Sequence, residues 1–327
     1  MGPVDTAGSS GLITRRRVIA GGAATAAAMA SGSWLAIDRS SALRRRLHER
    51  GLLAGPDLPV PSEEDAGDVV YSTFDAADGH AYAWGLWTPP LADVELCLVC
   101  LHGKGGDERF AFEDLGVHRF VAHAGLAWAV ATIDGGTDYW HRRASGHDPQ
   151  TALTAGLLPA LAERLGPAVR FAALGWSMGG YGVLLLAERN PDPVAAVVAA
   201  SPAIWTRSEA AAPGAFDNEG DFRANDVLAD AGVLDGMPVR IDCGADDVFA
   251  GTSRRLLDTV PGSAGGIIRA SMTAARGEAS CRHSFAGSAM SWRPGTPRPQ
   301  RWTRMRMARK VRARSTGETN RSASNTA

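Results

Sequence analysis

The chain is poor in the groups that hold a fold together from outside its core. Four cysteines in 327 residues are too few for a disulfide-stapled scaffold. His118, His123 and His147 have no spacing that suggests metal ligands. No internal repeat is visible, and no glycine period of the collagen kind. What remains is 45% hydrophobic and 21% charged, the balance of an ordinary globular protein rather than of a disordered chain. A domain of ~250 residues buries about three quarters of its unfolded surface, so one large core is expected without metals or cross-links.

The net charge of -1 conceals an asymmetry: residues 1–30 carry +2, residues 31–292 carry -12 and residues 293–327 carry +9. An acidic body argues against nucleic acid as partner of the main domain. The tail from 291 onward has no Leu, Ile or Phe, lacks the aromatic interleaving of a nucleic-acid reader, and is read as a solvated basic appendage.

The N-terminus is also short of charge. Thr14-Arg15-Arg16-Arg17 precedes an uncharged stretch from Val18 to Ile37 with small residues at Ala28-Met29-Ala30, the layout of a secretory signal. The arginines after Thr14 make it resemble a twin-arginine export signal, which predicts a secreted or cell-surface protein. A membrane anchor is the competing reading, because twenty uncharged residues reach across a bilayer. Five Gly or Ser against four Val, Ile or Leu make such a span weak. Residues 38–66 read as a linker, 67–290 as the main folded domain and 291–327 as the tail.

From Asp68 onward strands and helices alternate. Val69 to Phe74 and Ala81 to Trp87 are short runs around the hairpin signal Asp78-Gly79. The run from Val94 to Leu101 is nearly all apolar, as in a strand covered on both faces, and the type recurs at 127–133, 169–174, 194–199 and 239–243. Helices are expected at about 109–123, 150–165, 178–189 and 251–259. This alternation predicts an α/β fold with a mostly parallel sheet, helices on both faces and ligand sites at the carboxyl ends of the strands.

Two glycine-rich turns stand at such ends. Gly175-Trp176-Ser177-Met178-Gly179-Gly180 follows Phe171-Ala172-Ala173-Leu174 and opens a helical run. A serine on a tight strand-to-helix turn needs small neighbours, and its hydroxyl then stands free as a nucleophile while the Met178 N–H faces a developing oxyanion. A glycine-rich turn with a capping serine is the alternative. Earlier, Leu101-His102-Gly103-Lys104-Gly105-Gly106 ends the first fully apolar strand. Loops of this composition free backbone N–H groups, and Lys104 is the expected second oxyanion donor.

With its acidic strand end near Asp247, this order resembles the α/β-hydrolase fold, and the surrounding sequence is similar to the esterase D-type family. The likeness covers about 68–260, and Trp140-His141-Arg142-Arg143 after Asp134-Gly135-Gly136 fits its secreted members. The resemblance implies a Ser-His-Asp triad in the chain order Ser, acid, His, with no metal or organic cofactor. In Ile241-Asp242-Cys243-Gly244-Ala245-Asp246-Asp247 the family pattern Gly-x-x-Asp selects Asp247; Asp246 is the alternative and Asp242 lies within the strand. The base departs from the pattern. His283 is the only histidine beyond Asp247 and is the candidate by elimination, but no amphipathic closing helix follows Met272. A frameshift near Ile267 is one origin of both departures, since the bases for Ser271-Met272-Thr273 can encode His-Asp in another frame.

Cys97 and Cys100 are three apart on one strand, so their side chains face opposite ways and are expected as buried thiols. A Cys243–Cys281 bond is conceivable in an exported protein. The expected function is that of a secreted serine carboxylesterase acting through an acyl-enzyme on a small-molecule, lipid or cell-wall ester, with pocket walls from 138–148 and 203–235. An alcohol in place of water would make the same site an acyltransferase. A scaffold without a working base would be a binding protein, and the sequence leaves these open.

Overall fold

A run of apolar residues is stable as a strand only when both faces of its sheet are covered. That is the environment of β3 (Leu96–Leu101) and β4 (Trp128–Ile133), every residue of which is buried, and of β5 (Arg170–Trp176), buried from its second residue on. The computed structural model describes residues 61–62, 66–90 and 93–268. They form an eight-stranded sheet with β1 (Val70–Asp75), β2 (Ala81–Trp87), β6 (Val194–Ala200), β7 (Val239–Gly244) and β8 (Ala264–Ile268), in the order β1-β2-β4-β3-β5-β6-β7-β8. The β1–β2 hairpin is antiparallel and β2 meets β4 antiparallel; all other pairs are parallel. This is the fold class expected from the sequence.

Helices cover both faces. On one side lie α1 (Phe110–Glu113) and α2 (Val117–His123), whose Phe112, Val117 and Phe120 pack with Leu98, Cys100 and Trp176. On the other lies α3 (Pro149–Thr151), which continues through a π-helical stretch at Ala152–Leu157 into α4 (Leu158–Leu165). There α5 (Met178–Arg189) packs with Cys97, Val99 and Leu101. Cys97 and Cys100 thus fall on opposite faces, both as buried free thiols.

Several details differ from the sequence reading. The single helix expected over 109–123 is two, because Gly116 adopts a φ of 62° between them and breaks the hydrogen-bond ladder. Short helices α6 (Glu219–Ala224) and α7 (Val227–Asp230) interrupt the 203–235 segment, and β8 was not foreseen, since Ala264-Gly265-Gly266 carries no strand signal. Ala66, the last residue read as linker, is buried and its carbonyl accepts a hydrogen bond from the Trp87 indole. Helix α8 (Ala250–Thr259) follows the acidic turn as expected. Among the described residues no helix is long and apolar enough to cross a membrane. The N-terminal segment read as an export signal, His283, Cys281 and the basic tail lie outside the described residues.

The order of the strands decides where a ligand can sit. From β3 the chain crosses to β4 on one side, and β5 then enters on the other side of β3 and leads away to β6. Adjacent crossovers running in opposite directions open a crevice at the carboxyl ends of β3 and β5. Leu101 pairs with Gly175 at that end, so both glycine-rich turns rise from the same edge of the sheet.

Candidate active site

Between β5 and α5, Ser177 holds φ 54° and ψ -116°, a conformation that a residue with a side chain adopts only under constraint. The constraint is visible. Its N–H donates to the Ala200 carbonyl at 2.9 Å, and its own carbonyl accepts from Ala203 N–H at 2.9 Å and Tyr181 N–H at 3.0 Å. The glycines around it are dictated by backbone rather than by side chains. A Cβ on Gly175 would stand 2.1 Å from the Gly179 oxygen, and one on Gly179 would stand 2.0 Å from the Leu101 oxygen and 2.7 Å from the His102 oxygen. The capping alternative fails, because the Ser177 hydroxyl makes no bond to the first turn of α5. Ser177 is partly exposed while Met178 is fully buried, which leaves the N-terminal amides of α5 beside the hydroxyl without a side-chain cap.

The 102–106 loop lies against this turn. A Cβ on Gly103 would come within 3.2 Å of the Trp176 indole. His102 anchors the loop: its Nδ1–H donates to the Gly103 carbonyl at 2.8 Å and its Nε2 accepts from Gly135 N–H at 3.0 Å. The Asp134 carboxylate also lies 3.3 Å from Nε2. Both nitrogens are occupied and the ring is buried, so His102 is a support and not a base. The Lys104 ammonium donates to the Pro213 carbonyl at 3.1 Å and stands 5.8 Å from the Tyr139 ring centre.

Residues 138–148 and 203–217 meet over this edge. Tyr139 packs against Trp205 at 5.5 Å and Phe216 at 6.4 Å between ring centres, and Trp205 against Phe249 at 5.5 Å. Arg143, itself buried, holds the second segment down: it donates to both the Gly214 and Ala215 carbonyls and pairs with Asp217 at 2.8 Å. His141 reaches the Ala215 carbonyl at 3.1 Å, and burial pushes its imidazole below the usual range. Trp140 is a wedge beneath: its ring occupies the space a Cβ would need on Gly135 and Gly182, and its indole N–H donates to the His102 carbonyl at 3.4 Å. The sequence singled out these two segments. It missed that Tyr139 and Trp140 are consecutive residues in left-handed backbone, with φ 54° and 58°, for which no local signal exists.

The acidic turn follows β7, two strands from β5. Asp247 is partly buried; its N–H donates to the Gly244 carbonyl at 3.1 Å and its carboxylate accepts from Phe249 N–H at 2.9 Å. Asp246 is buried. Asp242 pairs with Arg240 through contacts of 2.6 and 3.2 Å, a structural role. Cys243 is a free thiol raised to about 11 by burial, with the charge of Asp247 adding to it; its suggested partner Cys281 is outside the described residues. Ser177, Met178 and the 102–106 loop are therefore together, Asp247 stands at the same end of the sheet, and His283 has no described position.

No curated protein matches the chain. Solved structures do. Fluorophosphonate-binding serine hydrolase F of Staphylococcus aureus superposes with a TM-score of 0.56 at 16% identity, covering 68% of this chain and 98% of that one. S-formylglutathione hydrolase from Agrobacterium tumefaciens gives 0.54 at 16%, covering 68% and 93%. The feruloyl esterase module from Clostridium thermocellum gives 0.54 at 13%, covering 75% and 96%. Such low identities establish the shared α/β-hydrolase architecture. The family model described as "Putative esterase" matches residues 128–294, just over half the chain. The match takes in the serine turn and the acidic turn alike, and the chain belongs to this esterase family, carboxylic ester hydrolases built on the α/β-hydrolase fold.

Proposed function

We propose that the chain is an exported serine carboxylesterase in which Ser177 is the nucleophile, Asp247 the acid and His283 the general base. The observation that carries this reading is the backbone of Ser177, held at φ 54° by three main-chain hydrogen bonds with its hydroxyl uncommitted to the helix. Strain of this kind persists where the surroundings enforce it, and it projects the side chain away from the sheet edge. The family match extends to residue 294 and so includes His283.

In the reaction His283 takes the Ser177 proton as the oxygen attacks the ester carbonyl, and Asp247 orients the imidazole and stabilises its charged form without taking the proton. The N–H groups of Lys104 and Met178 receive the oxyanion, each worth about 3 to 4 kcal/mol in sites of this kind. Because the Lys104 ammonium is engaged by Pro213, its backbone N–H is the group that remains for this task. The alcohol leaves, water attacks the acyl-enzyme and the acid is released. The twin-arginine-like segment supports export of the already folded domain, and a small-molecule, lipid or cell-wall ester is the substrate class.

The test is labelling of the purified protein by a fluorophosphonate probe together with turnover of p-nitrophenyl acetate and butyrate. Labelling and turnover that vanish in Ser177→Ala support the proposal. An unlabelled parent, or equal turnover in both proteins, overturns it and leaves a hydrolase-like scaffold that binds without catalysis.

A further inference from the structure

The Lys104 N–H belongs to the peptide unit whose carbonyl is that of Gly103. A trans peptide is planar, with its C=O and N–H pointing opposite ways, so whatever holds the Gly103 oxygen also aims the Lys104 N–H. Two groups hold it: the Gly106 N–H at 3.1 Å and Nδ1 of His102 at 2.8 Å. A carbonyl only accepts, so Nδ1 carries a proton. The same short stretch touches both flanks of Ser177. A Cβ on Gly103 would meet the Trp176 indole at 3.2 Å, and one on Gly179 would meet the His102 oxygen at 2.7 Å. The far side of the ring has two partners, the Gly135 N–H at 3.0 Å from Nε2 and an Asp134 carboxylate oxygen at 3.3 Å. As an acceptor Nε2 serves Gly135; with a second proton it serves Asp134. That carboxylate also accepts from Gly136 N–H at 2.8 Å. The His102 ring first, and the Gly136 N–H after it, hold the Asp134 carboxyl below the usual carboxylate range, so it is charged at neutral pH. The Asp134 side chain is 39% exposed and that of His102 2%. A charge at the solvent edge thus reaches a buried ring whose outer nitrogen the Gly135 N–H already satisfies, which support of the loop alone does not require.

We propose that Asp134 is a positioning residue for the reaction: acting on Nε2, it fixes the plane of the His102 ring and so the tilt of the Gly103–Lys104 peptide that presents the Lys104 N–H to the oxyanion. The inference rests on the esterase reading and deepens it. Neither Asp134 nor His102 touches the ester in this account. The carboxylate acts through the imidazole, the imidazole through one peptide plane, and the oxyanion receives a donor whose direction was set before the substrate arrived.

A double-mutant cycle tests action through another residue. Asp134→Asn keeps the size of the side chain and an acceptor for the Gly136 N–H but removes the charge. His102→Asn keeps an N–H donor near the place of Nδ1 and removes Nε2. Parent, both single variants and the double variant are compared by kcat/KM on p-nitrophenyl acetate and by the rate constant of fluorophosphonate labelling, at a temperature where all four are folded by their melting curves. Both quantities report the attack step and should fall together. Asp134→Asn is expected to lower each by about five- to thirtyfold, less than the hundredfold or more that follows complete loss of an oxyanion donor. In the His102→Asn background the same substitution should change them by less than about twofold. Parental rates in Asp134→Asn overturn the inference while the esterase reading stands. So do effects that multiply in the double variant, which would make the carboxylate act apart from His102. An unlabelled, inactive parent overturns both.

Discussion

The serine turn depends on the absence of one carbon atom at position 179, and Gly179→Ala tests this directly. The added Cβ would lie 2.0 Å from the Leu101 oxygen, 2.6 Å from the Leu101 carbonyl carbon and 2.7 Å from the His102 oxygen, where about 3.4 Å or more is the ordinary limit. None of the three atoms belongs to a side chain that can rotate away. Leu101 ends the central strand β3, paired on both sides, so relief requires α5 to move off the sheet by more than an ångström. Overpacking of well-packed interiors typically costs 1–3 kcal/mol, and a clash with fixed backbone belongs at the top of that range. For a domain of this size about 3 kcal/mol lowers Tm by roughly 6–12 °C. Because the displaced segment carries Ser177 and Met178, fluorophosphonate labelling should slow by more than the stability loss explains at a temperature where the variant is fully folded. Gly251→Ala is the internal control. Nothing lies within 4 Å of its added Cβ on the exposed side of helix α8, so that variant should gain about 0.5–1 kcal/mol through a less flexible unfolded chain. A Gly179→Ala protein that melts within about 2 °C of the parent and labels at the parental rate would refute the close approach of α5 to the 101–102 backbone, and with it the argument for why the serine stands where it does.

Two further outcomes follow from charges outside the reacting groups. Burial first, and the nearby Asp230 second, push the Glu188 carboxyl up to about 9 from 4.5, and one of its oxygens is buried without a hydrogen bond among the described residues. A carboxyl raised on folding costs stability as pH rises through the unfolded value and toward the folded one, so Glu188→Gln should be more stable than the parent at pH 8 by about 1 kcal/mol or more, with no gain at pH 4, read by urea melts at the two values. Arg143→Ala removes four hydrogen bonds, to Gly214, Ala215 and twice to Asp217. It should cost about 2–3 kcal/mol and open 206–217 to limited proteolysis, whereas a protease-resistant variant would show that segment to be held by its aromatic packing alone.

Local chemistry determined much of this protein. Periodicity and continuous apolar runs located β2 to β7, because a strand between two helical layers is apolar on both faces wherever it occurs. The spacing of Gly175, Ser177 and Gly179 marked the serine turn, because the steric demand for small residues there acts within five positions of the chain. Tertiary structure decided the rest. Which strand lies beside which, and so the crevice between β3 and β5, is set by crossovers that leave no trace in either strand's composition. The backbone atoms that exclude a side chain at Gly179 come from residues 101 and 102, some eighty positions away. The left-handed pair at Tyr139 and Trp140 is likewise imposed from a distance, by Gly135, Gly182 and the His102 carbonyl. Sequence specifies what each residue prefers; only the packed chain specifies which preferences are overruled, and at this edge of the sheet the overruled residues are Ser177, Tyr139 and Trp140, all held at positive φ.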